Sequence, residues 1–124
     1  MANSEHVEVL KQGVDAWNAW RKQQNPDTHK AGVGAAAWEE WRENNPELIP
    51  DLSEADLSGM DLRKANFRGA NLSNADLRNA DLRGTDMYYA DLGGVSVRGA
   101  KFSNMSSWPY GFNPVIRGAV YEPD

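Results

Sequence analysis

The sequence predicts an all-β solenoid with a helical N-terminal cap, and three observations support this prediction. Residues 50–104 divide into eleven consecutive five-residue units without a break in register. The middle position of every unit is apolar, and Ala is common two positions before it. Residues 1–49 instead contain apolar residues at helical spacing. A period of five fits neither an α-helix nor a flat strand, whereas self-similarity at a fixed period is typical of a solenoid.

Each unit is predicted to form a very short strand followed by a tight turn. The Ala and middle positions lie two residues apart and therefore share one face of a strand. Gly, Asn and other polar residues at the end of the unit favour turns, and stacked coils would pair their backbones. The predicted interior consists of the middle residues, namely Leu52, Leu57, Leu62, Phe67, Leu72, Leu77, Leu82, Met87, Leu92, Val97 and Phe102.

The A-(D/N)-L-x-x units, such as ADLRN at 75–79 and ADLRG at 80–84, resemble the pentapeptide repeat family. The resemblance implies a right-handed quadrilateral β-helix with four repeats per coil, which gives about three coils here. Residues twenty positions apart would then stack on one face of the helix.

Residues 1–49 are predicted to form the helical N-terminal cap, because the raw end of a β-helix needs a cover. The segments GVDAWNAWR at 13–21 and GAAAWEEWR at 34–42 duplicate a W-x-x-W-R motif, which resembles the helical cap of many pentapeptide repeat proteins. Because the second copy adjoins the repeats, we expect it to seal the coil. The first copy would then be spare, as a second layer of the cap or as a surface for another molecule. The predicted sealing residues are Trp38, Trp41, Leu48 and Ile49.

Residues 105–124 are predicted to close the other end of the solenoid. The register breaks after Asn104, where WPYGF suggests a loop, and degenerate repeats follow. The W-P-x-G-F pattern also resembles the C-terminal end of family members. We therefore expect a C-terminal loop with degenerate repeats that covers the last coil.

The residue inventory argues against catalysis and against bound cofactors or metals. The chain has no Cys, which excludes disulfides, thiolate metal sites and cysteine nucleophiles. His6 and His29 are the only histidines, and neither belongs to a catalytic or zinc motif. Stacked Asp residues could offer oxygen ligands to Ca²⁺, but Asp before Leu is better explained by bonds to turn amides. An enzyme would need a cleft between the helical segment and the coil, with His29 in it.

The charge pattern argues against nucleic acid as a partner. The net charge is −5, and residues 50–104 carry eight acids and seven bases. Binding of nucleic acid by charge needs a basic face, and mimicry of DNA needs an acidic one. In the predicted coils Arg63 stacks under Arg83, with Asp residues two positions away, which indicates a solvated face of compensating charges rather than an anion site.

The function that the sequence favours is a non-enzymatic protein-binding or scaffold module with an unidentified protein partner. Adjacent outward tyrosines are favoured anchors at interfaces. We expect a cytoplasmic monomer or weak homodimer, and no membrane partner, because no stretch approaches about 20 apolar residues. The alternative, implied by some family members, is inhibition or protection of a topoisomerase-type enzyme by DNA mimicry, which the short length and balanced charge disfavour. The candidate partner-binding residues are Tyr88, Tyr89, Trp17, Trp20, Trp108 and Tyr110.

Overall fold

A computed structural model of the chain describes residues 2–24, 43–44 and 49–124. Within these ranges two complete helices precede the repeats, residues 43–44 are also helical, and a pair of two-residue strands lies at the C-terminal end of the solenoid. No helix in the described ranges is both long enough and apolar enough to span a bilayer. The regular elements are α1 (Ser4–Lys11), α2 (Val14–Gln24), β1 (Lys101–Phe102) and β2 (Val120–Tyr121).

The repeats stack as coils that each contain four units. Within them, isolated parallel bridges join residues that lie twenty positions apart, such as Asp51 with Asn71 and Asn71 with Asp91. Four such series run through the repeats, so the solenoid has four walls. We number the walls 1 to 4 by their first bridged residues, which are Asp51, Asp56, Asp61 and Asn66.

The last residue of a repeat adopts a left-handed backbone. Gly59 has φ 70° and Asn79 has φ 62°, and glycine and asparagine tolerate this region best. The following Ala donates its N–H to the Leu three residues earlier, as in the 3.1 Å bond from Ala80 to Leu77. At Gly94 a Cβ would also meet Oδ1 of the Asn74 side chain below it, so that side chain would have to move.

The Asp or Asn before each middle residue holds the turn that follows. In nine repeats its Oδ1 accepts the backbone N–H two residues later. Asp76, for example, accepts from the N–H of Arg78 at 3.1 Å. These short-range bonds explain why a polar residue recurs there, since Asp and Asn stabilise such turns.

The middle residues line the interior of the solenoid. Ten of the eleven predicted core residues are buried, and Phe102, near the C-terminal end, is half-buried. The Ala positions beside them are also buried, including Ala75, which is 1% exposed. Thr85 replaces Ala in one repeat, and its hydroxyl donates to the carbonyl of Leu82 at 2.8 Å, so the buried polar group is satisfied.

The first Trp copy belongs to the core, which corrects the expectation that it is spare. Asn3 caps α1 by accepting from the N–H groups of Glu5 and His6, and Gly13, with φ 112°, separates α1 from α2. Leu10 and Trp17 are both 0% exposed and join the same hydrophobic cluster as the repeats. Of the residues predicted to seal the coil, Ile49 is half-buried. The others, Trp38, Trp41 and Leu48, lie outside the described residues.

The C-terminal segment extends the stack with altered spacing. Ser107 bridges Asp86 on wall 4, and β2 pairs with β1 in parallel, with Val120 opposite Lys101. Trp108 stacks on Phe112 with ring centroids 5.1 Å apart. The segment therefore builds part of a further coil by main-chain pairing rather than by inserting a helix.

Candidate functional site

Tyr88 and Tyr89 occupy the outer face of wall 4. In their repeat, TDMYY, the Met87 side chain is buried in the core, and the next two side chains lie outside. Tyr88 is 40% exposed, and Tyr89 is half-buried. The two rings meet edge to face with centroids 4.5 Å apart, a favoured geometry for aromatic pairs.

Arg68 completes this cluster from the coil below. Its guanidinium carbon lies 5.3 Å from the Tyr88 ring centroid and 5.6 Å from that of Tyr89, within the range of cation–π attraction. Its Nη1 is 3.6 Å from Oδ2 of Asp86. We call these four residues the aromatic patch. Sequence reasoning missed Arg68, although its position twenty residues before Tyr88 is a usable signal.

The aromatic patch is joined to the N-terminal helices through Arg21. Its guanidinium donates to the carbonyl of Arg68 at 2.8 Å and to that of Asn66 at 3.1 Å. Arg21 is 2% exposed. Burial lowers its pKa to about 10, while Asp86 raises it. The backbone beneath the aromatic patch is therefore fixed by α2.

Trp17 and Asn18 satisfy polar groups at the first coil of wall 4. The indole N–H of Trp17 donates to the carbonyl of Asn66 at 2.7 Å. The amide of Asn18 donates to the carbonyl of Lys64 at 3.0 Å and accepts the N–H of Asn66 at 2.8 Å. Among the described residues no coil lies beneath these atoms, and side chains of α2 supply their hydrogen-bond partners instead.

This arrangement corrects the assignment of Trp17 as a partner-binding candidate, because a fully buried indole offers no surface. Trp20 is half-buried, and its ring centroid lies 4.9 Å from His6 and 5.2 Å from Trp17. Sequence reasoning missed Asn18 and Arg21 as capping residues. Asn18 distinguishes the two Trp copies in the sequence. The second copy has Glu39 at the equivalent position, and an ionised carboxylate donates no hydrogen bond.

The two candidates in the C-terminal segment differ in exposure. Trp108 is half-buried, and its ring meets Phe102 edge to face at 6.0 Å. Tyr110 is fully exposed, at 104% of the reference area. Neither residue lies in the aromatic patch of wall 4, so the structure does not join the predicted candidates into one surface.

Walls 2 and 3 carry paired charges rather than acid–base groups. Arg63 forks onto Asp61 with bonds of 2.9 and 2.8 Å, and Arg78 forms the same fork with Asp76 at 2.9 and 2.7 Å. Hydrogen bonds from these arginines lower the pKa of each of the two carboxyl groups to about 2. A general acid needs the opposite shift. Within the described ranges, no group of three or more His, Asp or Glu residues is arranged to hold a metal ion.

Comparison with known proteins addresses the repeats. The family described as Pentapeptide repeats matches residues 51–87 and 65–104, with eight copies. No curated protein matches the chain.

Two solved structures are similar to parts of the chain. A pentapeptide repeat protein from Nostoc Pcc 7120 is 23% identical, with 57% of this chain and 79% of that chain covered and a TM-score of 0.42. A pentapeptide repeat protein from the cyanobacterium Cyanothece 51142 is 34% identical, with 44% of this chain and 37% of that chain covered and a TM-score of 0.44. The family match and the four-unit coils agree, and residues 51–104 are a region of pentapeptide repeats.

Proposed function

We propose that the protein is a non-enzymatic binding module that presents the aromatic patch of wall 4 to a protein partner. The observation that carries the proposal is the clustering of Tyr88, Tyr89 and Arg68 on one outer face, with the rings in mutual contact and the guanidinium against both. Tyr and Arg are the residue types enriched among the residues that dominate binding energy at protein interfaces.

The backbone under the patch supports a role for the Tyr89 side chain. Tyr89 has φ 64° at the last position of its repeat, where the equivalent residues of many other repeats are glycine or asparagine. A left-handed backbone costs a non-glycine residue about 1–2 kcal/mol. Glu54 and Lys64 have nearly the same φ, 63° and 64°, at this position of their repeats, so the fold sets the backbone. The feature that suggests a role is an aromatic ring retained where glycine would cost less.

Rigidity of the wall favours this use of the patch. The N–H of Tyr88 is held by Asp86 at 3.0 Å, and the backbone of Arg68 is held by Arg21. A surface already ordered in the free protein loses little conformational entropy when a partner docks. We further propose that the protein acts in the cytoplasm as a monomer or weak homodimer. The lack of Cys fits the reducing conditions of that compartment.

Catalysis and DNA mimicry receive no support from the described charges. Every aspartate there with a shifted pKa is shifted downward, namely Asp56, Asp61, Asp76 and Asp81. The Arg–Asp forks of walls 2 and 3 also pair negative charges with positive ones along the surface. DNA mimicry of a topoisomerase substrate would need uncompensated negative charge.

Affinity capture from a lysate of the organism that encodes the chain tests the proposal, with wild type compared with Tyr88→Ser/Tyr89→Ser. We expect a protein partner that wild type retains and the double variant loses. Tyr110→Ser is the matched control, since Tyr110 is an exposed tyrosine elsewhere, and it should capture the partner as wild type does. Equal capture by wild type and the double variant would rule out the patch as the binding surface.

Tyr89→Gly separates binding from folding. Glycine relieves the left-handed backbone but removes the edge-to-face contact with Tyr88 and a cation–π contact worth about 0.5–1 kcal/mol at an exposed site. These effects oppose each other, so we expect the free energy of unfolding to change by less than about 1 kcal/mol while partner capture falls. A variant that captures normally would show that the Tyr89 ring has no part in binding.

A further inference from the structure

His6 joins α1 to the first repeat through a hydrogen bond that only one protonation state of the imidazole can form. The backbone N–H of Asp51 donates to Nδ1 of His6 at 2.9 Å. An imidazole nitrogen accepts a hydrogen bond only when it carries no proton. The contact therefore needs the neutral ring with its hydrogen on Nε2. In the imidazolium form two N–H donors would face each other.

The groups around the ring come from three parts of the described chain. His6 is half-buried and lies against Trp20 of α2, with ring centroids 4.9 Å apart. The charged groups that face it are Glu5 on α1, Arg21 on α2 and the carboxylate of Asp51 on the first repeat. Burial lowers the pKa of His6, Asp51 and Glu5 raise it, and Arg21 lowers it, with a net downward shift. Geometry and electrostatics thus both favour the neutral ring.

The start of α1 is attached to the coil at Asp51 by two hydrogen bonds. Besides the bond to His6, the carbonyl of Asp51 accepts the N–H of Asn3 at 3.0 Å. Oδ1 of Asp51 is already engaged by the N–H and the hydroxyl of Ser53 at 3.1 and 2.7 Å. Loss of the His6 bond therefore leaves the Asp51 N–H without a partner among the described residues, and Asn3 alone of these residues then holds the start of α1 at Asp51.

We propose that α1 is a pH-sensitive closure of the N-terminal end of the solenoid, and that protonation of His6 releases the start of α1 from the first coil. The closed form prefers the neutral ring, so closure is complete above the ordinary histidine pKa of about 6.5. It weakens as the pH falls below that value, because the open form then binds a proton that the closed form disfavours. The limiting effect is about tenfold in the opening equilibrium per pH unit, as expected for one proton.

Hydrogen exchange of the Asp51 amide, measured by NMR at about pH 7.5, 6.5 and 5.5, tests this proposal. After correction for the intrinsic exchange rate, the protection of this amide in wild type should fall by up to about tenfold per pH unit below about 6.5. His6→Gln should show pH-independent protection, since its side chain has no group that gains or loses a proton in this range. His29→Gln is the matched control and should follow wild type, because it retains His6.

Two results would overturn the proposal: pH-independent protection in wild type, or the same decline in His6→Gln as in wild type. The ¹⁵N shifts of the His6 ring give a second measurement that needs no variant. They should identify Nδ1 as the unprotonated nitrogen of the neutral ring. A proton on Nδ1 at neutral pH would also exclude the proposed closure.

Discussion

The two ends of the solenoid are covered in different ways. At the N-terminal end, side chains from α1 and α2 pack into the core, and Leu10 and Trp17 are both 0% exposed. At the C-terminal end, the chain continues to pair its backbone, as in the 2.7 Å bond from Val120 to Ala100. Several large side chains of the C-terminal segment are exposed, with Tyr110 at 104% and Ile116 at 79% exposure, although Ala119 is buried and Trp108 packs against the core.

The N-terminal end is therefore stabilised by side-chain contacts, and the C-terminal end by main-chain hydrogen bonds. In the part of the chain that the structure describes, no rung lies beneath the first coil, and the carbonyl and N–H of Asn66 receive partners from Trp17 and Asn18. At the last coil, the main-chain groups of β2 supply the hydrogen-bond partners of the coil edge. Substituting a capping side chain should therefore damage the N-terminal end, whereas the exposed side chains of the C-terminal end should tolerate change.

Trp17→Ala gives the largest expected effect. It empties a buried site and removes the indole donor to Asn66. We expect a loss of about 3–5 kcal/mol in the free energy of unfolding, as for other buried aromatic residues replaced by Ala. Tyr110→Ala is the matched aromatic control at the C-terminal end and should change stability by no more than about 0.5 kcal/mol. Denaturant unfolding measures both, and similar losses would erase the proposed difference between the ends.

Asn18→Asp gives a smaller effect and isolates the hydrogen bonding of the cap. The substitution keeps the side-chain shape but removes the donor to the Lys64 carbonyl. This bond is exposed, so water can hydrogen-bond to the freed carbonyl, and we expect a loss of about 0.5–1.5 kcal/mol by denaturant unfolding. Asn104→Asp makes the same change at an exposed residue and should be near neutral. A neutral Asn18→Asp would mean that this hydrogen bond does not hold the cap.

Much of the solenoid can be predicted from the repeat alone. The five-residue period identifies the inward residues. Equivalent positions of successive repeats, such as Leu72 and Leu77, all face the interior when the register is constant. Asp or Asn before the middle residue follows from the local bond that its side chain forms with the turn, as Asp76 does with Arg78. These features depend on neighbours close in sequence or one coil away.

The identity of the capping copy could not be predicted from the motif. Both copies contain W-x-x-W-R, and proximity in sequence favoured the second. In the described residues the first copy meets the coil edge, where Asn18 donates to Lys64 and accepts from Asn66, and the second copy lies outside those residues. These contacts span more than forty residues of sequence. Arg68 was missed for a related reason, since its link to Tyr88 depends on stacking of coils.

The most direct test of the account is hydrogen exchange at the indole N–H groups of the five tryptophans. The Trp17 N–H is buried and bonded to the Asn66 carbonyl at 2.7 Å, so it should exchange slowly, with protection approaching that of the core. The half-buried Trp108 provides the internal comparison from the C-terminal end and should exchange faster. If Trp17 exchanged as fast as Trp108, the first Trp copy would not cap the solenoid and the account would be wrong.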